Sequence, residues 1–313
     1  MKKLLLLVFA TATLCWQSCS RTDEQITDNE MVTTANSLSE EDIQGLLQLR
    51  SDIQNYNMSI SHTETRGLRS WITKALTVVA ADGIGLLAGG AGSSALFSGV
   101  ALVAVLAGVD KVVYDVTVDT HPTKLTRSVN DYTNLIIDHH GFITIFADSV
   151  GYYHNQIVHT LLTDPIRTHQ FNTQLGFHKA YVFNDICNNM GIPPVANSND
   201  TVQIQAIYNT ALTIGQMALL ADTHNDFFDY LRSSPATAKL VEAEADVLEA
   251  FVDGLSEIDI DDYDGSYLNG VLHILDNSNI STTLKQKLGN IMITTNASAV
   301  LWGNSNLIEL LEE

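Results

Sequence analysis

Apolar positions recur at three- and four-residue spacing along most of the second half of the chain, which predicts a succession of amphipathic helices. The first stripe runs from Lys124 to Leu162 through Leu125, Val129, Tyr132, Ile136, Ile143, Phe146, Val150, Ile157 and Leu161, and Asp164-Pro165 closes it. A second helix is predicted over about 168–189 through Phe171, Leu175, Val182, Ile186 and Met190, stopped by Gly191 and Pro193-Pro194. A third spans about 201–231 through Ile204, Ile207, Ala211, Ile214, Leu220, Phe227 and Leu231. Pro235 opens a fourth, through Leu240, Val247, Phe251 and Leu255. Two more cover about 263–275 and 281–302. Residues 110–119 alternate at Val112, Tyr114, Val116 and Val118, which suits a short strand as well as an extension of the preceding helix. The predicted fold class is all-α: a helical bundle over 120–313 with a Gly/Ala-rich apolar helical hairpin near its N-terminus.

That hairpin breaks the amphipathic pattern. Residues 67–79 are basic and amphipathic, with Arg69, Lys74 and Trp71, an aromatic suited to a membrane interface. Gly83 to Val109 then contains no charge over 27 residues, seven of them Gly and six Ala. As one helix this stretch would reach ~40 Å, against a hydrocarbon core of ~30 Å. Gly85 and Gly89 form a GxxxG pair, and Ala88 with Gly92 and Ser94 with Ser98 continue the small-xxx-small spacing that lets helix backbones touch. The run 89–94 is a turn candidate, so two apolar helices are expected at about 70–88 and 95–109. Three readings follow: a constitutive transmembrane helix, a plain core hairpin, or a hairpin buried at rest and later released into a target membrane. The last is similar to the apolar hairpin of pore-forming colicins. It would use Trp71, Gly85, Gly89, Gly92, Gly99 and Ala104 as membrane-inserting positions, and insertion as an oligomer stays open.

The N-terminus supplies an address. Lys2 and Lys3 precede an apolar run from Leu4 to Leu14 that is too short to span a bilayer, as in a secretory signal over 1–18. Trp16-Gln17-Ser18-Cys19 resembles a bacterial lipobox, with Trp16 where that pattern usually has Leu. The resemblance implies lipidation of Cys19. Residues 19–66 carry three arginines against nine acids, a net of −6, and read as an acidic tether or propeptide. A short helix is predicted to start at Ser39, with Asp42 three residues on and Ile43, Leu46 and Leu47 behind it. Arg66-Gly67 and Arg69-Ser70 mark the change from acidic tether to basic segment and suit an Arg-specific protease. A cut there would shed the tether and expose a basic, Trp-bearing end suited to an anionic membrane.

Charge and side-chain chemistry narrow the rest. With 16 Lys+Arg against 36 Asp+Glu, the net charge is −20, which argues against nucleic-acid binding. Three cysteines reduce to Cys187 once Cys15 leaves with the signal and Cys19 takes lipid; a lone thiol in a predicted helix reads as a small buried residue. Ten acids and one Lys lie between 239 and 264. Glu242, Asp246, Glu249, Asp253 and Glu257 share one stripe, read as a solvated face that keeps the chain off anionic membranes. Asp259, Asp261, Asp262 and Asp264 do not align with an EF-hand loop, so calcium binding is left open. The ten histidines include His139, His140, His154 and His159 but no HExxH and no i,i+4 pair, so no metal site or cofactor is expected. An enzyme would need His139, His140 or His154 joined to an acid such as Asp138 or Asp148; no motif names a reaction, and none is expected.

Gly151-Tyr152-Tyr153-His154-Asn155-Gln156-Ile157 resembles a Gly-x-x-His-Asn helical signature of Bacteroidota lipoproteins. There it accompanies a Ser-x-x-x-Leu-Lys-like stretch and a closing aromatic, here Ser281 to Lys285 and Trp302. Residues 67–108 look like the Gly-rich membrane-active segments of bacteriocins. With the lipobox, the chain resembles the protease-activated lipoprotein bacteriocins of gut Bacteroidota. The resemblance implies an exported antibacterial protein anchored at the outer-membrane surface and released by cleavage. Its partners would be an Arg-specific protease, a target-cell membrane and a surface receptor. The competing reading is a structural or interaction lipoprotein of the cell surface in which Gly83 to Val109 is simply core.

Overall fold

In the computed structural model, residues 38–60, 70–89, 95–96, 149–191, 194–234, 240–258 and 265–302 are described. Among them are ten α-helices and no strand: α1 (Glu40–Ile60), α2 (Ser70–Gly89), α3 (Ser149–Thr163), α4 (Pro165–Thr173), α5 (Lys179–Met190), α6 (Thr201–Leu220), α7 (His224–Ser233), α8 (Glu242–Ser256), α9 (Ser266–Asn277) and α10 (Thr282–Trp302). The all-α expectation therefore holds for these residues. Helix α2 lies in the segment expected to form the hairpin, but the described residues do not define a hairpin. Ala95 and Leu96 are helical and buried, and the rest of the second arm lies outside the described residues, as do 110–119 and the stripe before Ser149.

Helix α10 is the hub. α2, α3, α8 and α9 all pack on it, and every residue from Ile291 to Trp302 is buried. Helix α2 lies between α10 on one side and α6, α7 and α8 on others. A helix surrounded in this way needs apolar or small residues on every face. Residues 76–85 of α2, Leu-Thr-Val-Val-Ala-Ala-Asp-Gly-Ile-Gly, are buried without interruption.

Helix ends follow the local chemistry. Asp164 accepts hydrogen bonds from the Ile166 and Arg167 N–H groups and starts α4, with Pro165 in its first turn. Gly191 ends α5 in the left-handed conformation at φ 70°. Two predicted helices are each two. The one expected over 168–189 breaks after Thr173: Leu175 is 81% exposed and Gly176 takes φ 53° before a 3₁₀ turn at Gly176–His178. The one expected over 201–231 breaks at 221–223, where Thr223 and Asp226 form a reciprocal capping box that starts α7.

Residues 40–60 of the segment that composition marks as an acidic tether form a helix that packs one face, Gly45, Leu46, Leu49 and Ile53, into the core. Ser39 caps α1 through its hydroxyl, which accepts from the Asp42 N–H at 3.0 Å. Leu46, Leu49 and Ile53 are completely buried against α8 and α9. Each such side chain contributes about 1.5–3 kcal/mol relative to exposure. Leu47, expected with them, points outward at 46% exposure.

The acidic stripe of α8 is largely engaged rather than solvated. Arg232 of α7 pairs with Asp246 at 2.7 Å and with Glu249, and Arg50 of α1 reaches Asp246 at 3.0 Å. Burial works against the charge on Arg232, but the hydrogen bonds and charges of Glu249 and Asp246 outweigh it and raise its pKa. His224 lies 2.8 Å from Asp253. Glu244, 1% exposed, is bonded by Lys287 of α10 and by the Val241 N–H. These acids tie α8 to its neighbours, which periodicity alone does not reveal.

Candidate functional site

Helix α2 carries one acid, Asp82, in the middle of its buried run. The opposing helices supply polar partners from far along the chain. The Ser298 hydroxyl of α10 donates to Asp82 Oδ2 at 2.5 Å, and the Trp302 indole N–H approaches the same oxygen at 3.4 Å. His154 Nε2 of α3 lies 3.6 Å from it. Asp82, His154 and Ser298 have no exposed surface, and Trp302 is 4% exposed. Burial drives the His154 pKa down to about 3, so the group facing Asp82 at neutral pH is an imidazole, not an imidazolium. Next to it, Asn155 donates to the Ala297 carbonyl at 2.9 Å.

Small residues bring these helices close enough to share the polar group. A Cβ on Gly83 would collide with Thr295 Oγ1 and stand 3.1 Å from the Ile291 carbonyl oxygen. A Cβ on Gly151 would come within 2.7 Å of Ala297 Cβ. Alanine normally gains ~1 kcal/mol over glycine inside a helix. Gly83→Ala is instead expected to lower stability by about 1–3 kcal/mol through overpacking, read from thermal or urea unfolding of the purified variant. An unchanged or raised midpoint would show that α2 and α10 do not approach each other so closely.

Gly151, His154 and Asn155 each meet a neighbouring helix. Gly151 lets α3 touch α10, Asn155 bonds the α10 backbone, and His154 meets Asp82. Trp302, at the end of α10, adds its indole N–H to the cluster. Spacing alone did not point to Asp82 or Ser298. A single acid in the middle of an otherwise apolar helix was the available signal for Asp82, and nothing marked Ser298.

Aspartate, histidine and serine together invite a comparison with acyl-transfer machinery. A serine nucleophile needs a base within hydrogen-bond reach and an opening to substrate. Here Ser298 donates to Asp82 itself, His154 faces the same carboxylate oxygen, and none of the three touches solvent. The geometry is that of a packed polar lock between α2, α3 and α10.

Other expected positions are spread out. Gly85 is buried in α2; Trp71 and Gly89 lie in its first and last turns. Cys19, Arg66, Arg69, Gly92, Gly99 and Ala104 lie outside the described residues, as do His139 and His140. Cys187 is buried, and burial pushes its thiol up to about 11, the inert behaviour expected of it. Among the described residues no group of three or more His, Cys, Asp or Glu is placed to hold a metal ion. A shallow cleft of about 240 Å³ between α7 and α8 is lined by Leu231, Arg232, Ser234 and Val241, among others. Its guanidinium is already bonded to Asp229, Asp246 and Glu249 and offers little to an anion.

Comparison with protein families, with curated proteins and with solved structures finds no match for this chain.

Proposed function

We propose that the chain is an exported, lipid-anchored antibacterial protein that is activated by cleavage after Arg66 or Arg69 and kills by inserting its Gly/Ala-rich segment into a target membrane. The observation that carries this reading is the burial of α2. Ten consecutive residues, 76–85, are enclosed on every face inside a chain of net charge −20. A helix that is apolar all round belongs in a core or in a bilayer. Its one buried acid is held by a lock whose histidine takes up a proton only against the cost of burial. No described helix is long and apolar enough to cross a membrane. The proposed inserting unit is accordingly the whole of 67–119 rather than α2 alone.

A second reading has its own support. Gly83 fits Thr295 and Ile291 without spare room, as expected of a permanent core. In that reading the protein is a structural or interaction lipoprotein of the cell surface.

One experiment separates the two. Residues 20–313 are purified, half the sample is cut with an Arg-specific protease, and killing of related bacteria is measured beside dye release from liposomes. Killing that appears after cleavage, and is absent from an R66Q/R69Q double variant, supports the toxin. Dye release places the lesion in the bilayer; killing without it points to a required receptor. No killing across a broad panel of relatives leaves the surface lipoprotein as the better reading.

A further inference from the structure

Helix α1 lies on the lipid-anchor side of the proposed cut, yet it packs on the body along its whole length. Near its start, Asp42 Oδ1 accepts from the Ser281 N–H at 2.7 Å. In the middle, Leu46, Leu49 and Ile53 are fully buried and Arg50 pairs with Asp246 of α8. In its last turn, Asn57 donates to the Ala250 carbonyl at 2.7 Å and accepts from the Tyr267 hydroxyl at 3.1 Å. The Tyr56 ring stacks on Tyr267 with centroids 5.9 Å apart. None of these interactions runs through residues 61–69.

We infer that cleavage at Arg66 or Arg69 leaves a two-chain protein, in which α1 stays docked on α8 and α9 and holds the cut body to its lipid anchor. This rests on the cleavage proposed above and changes its consequence. The cut does not shed the acidic segment, because Glu40, Glu41, Asp42 and Asp52 remain with α1 on the body. Nor does it free the protein from a membrane that holds Cys19. Cleavage frees the new N-terminus ahead of α2, and α1 sets whether the product stays at the producer's surface.

Cutting a covalent link removes the high effective concentration it provides but leaves the interface itself intact. An interface with three fully buried aliphatic side chains and hydrogen bonds at both ends is of the kind that persists between separate chains.

The test uses the whole chain of residues 20–313. One sample carries the natural sequence and is cut with an Arg-specific protease. A second carries a recognition sequence for a sequence-specific protease, inserted after Thr63, and is cut with that enzyme. Each is passed through gel filtration without denaturant, and fractions are resolved on a denaturing gel. The expected result is that the N-terminal fragment co-elutes with the body at one to one and separates from it in urea. An L49D/I53D double variant, cut in the same way, should release the fragment. A natural-sequence fragment that elutes apart from the body, whether the body stays folded or aggregates as it leaves, overturns the inference. If the Arg-specific protease makes no cut, the proposed activation fails, while the inserted-site sample still decides whether α1 stays.

Discussion

Asp82→Ala should cost the folded protein on the order of 2–4 kcal/mol, whereas Asp82→Asn should cost about 1–2 kcal/mol. Alanine takes the acceptor away from the Ser298 hydroxyl and the Trp302 N–H, in a site with no exposed surface at Asp82 or Ser298. Asparagine keeps one oxygen that can accept from Ser298. Urea unfolding of both variants, followed by circular dichroism, reads the difference directly. Equal losses would mean that the shape of the α2–α10 interface matters and the hydrogen bonds do not. In the proposed toxin, the looser α2 of the alanine variant should also shorten the lag before dye release from liposomes.

The second large effect is acid destabilisation through His154. Its pKa is about 3 in the folded protein, against the ordinary 6.5 once the chain unfolds. Between those values the unfolded chain holds the extra proton. Stability from this residue is therefore complete above pH 6.5 and falls as the pH drops toward 3, by about 1.4 kcal/mol per pH unit. His159, whose pKa burial also lowers, adds to the same trend. A His154→Gln variant should be less stable than the natural protein at pH 7.5, and the gap should narrow by about 2 kcal/mol by pH 5. Urea midpoints across that range test it. Parallel profiles for the two proteins would show that His154 titrates as an ordinary exposed histidine.

Both predictions concern a cluster that periodicity reveals one face at a time. The helix ends at Asp164-Pro165 and Gly191 were legible, because one residue type at one place is enough to set each of them. The start of α1 at Ser39 was legible for the same reason. The breaks at 174–178 and 221–223 were not. Leu175 and Leu220 continue an apolar stripe at helical spacing, yet both face solvent. The Thr223–Asp226 box that starts α7 is a matter of side-chain geometry, and the stripe passes over it without a gap. The engagement of the α8 acids was hidden likewise, since Arg50 lies 196 residues from Asp246. Period and charge tell which face a helix presents; they do not tell which helix will meet it. The GxxHN spacing named Gly151, His154 and Asn155 without giving them a role, and did not name the carboxylate that His154 faces.

The hub position of α10 sets an order of events during synthesis. Asp82 and its hydroxyl partner are 216 residues apart, so α2 leaves the ribosome long before Ser298 exists. At about 5–20 residues per second, that wait is roughly 10–40 s. Throughout it the most apolar of the described helices has neither its lock nor its main packing surface. The packing of α2 is therefore completed only once α10 arrives. In the exported protein proposed above, late closure would keep the chain in a form that can still be threaded through a membrane.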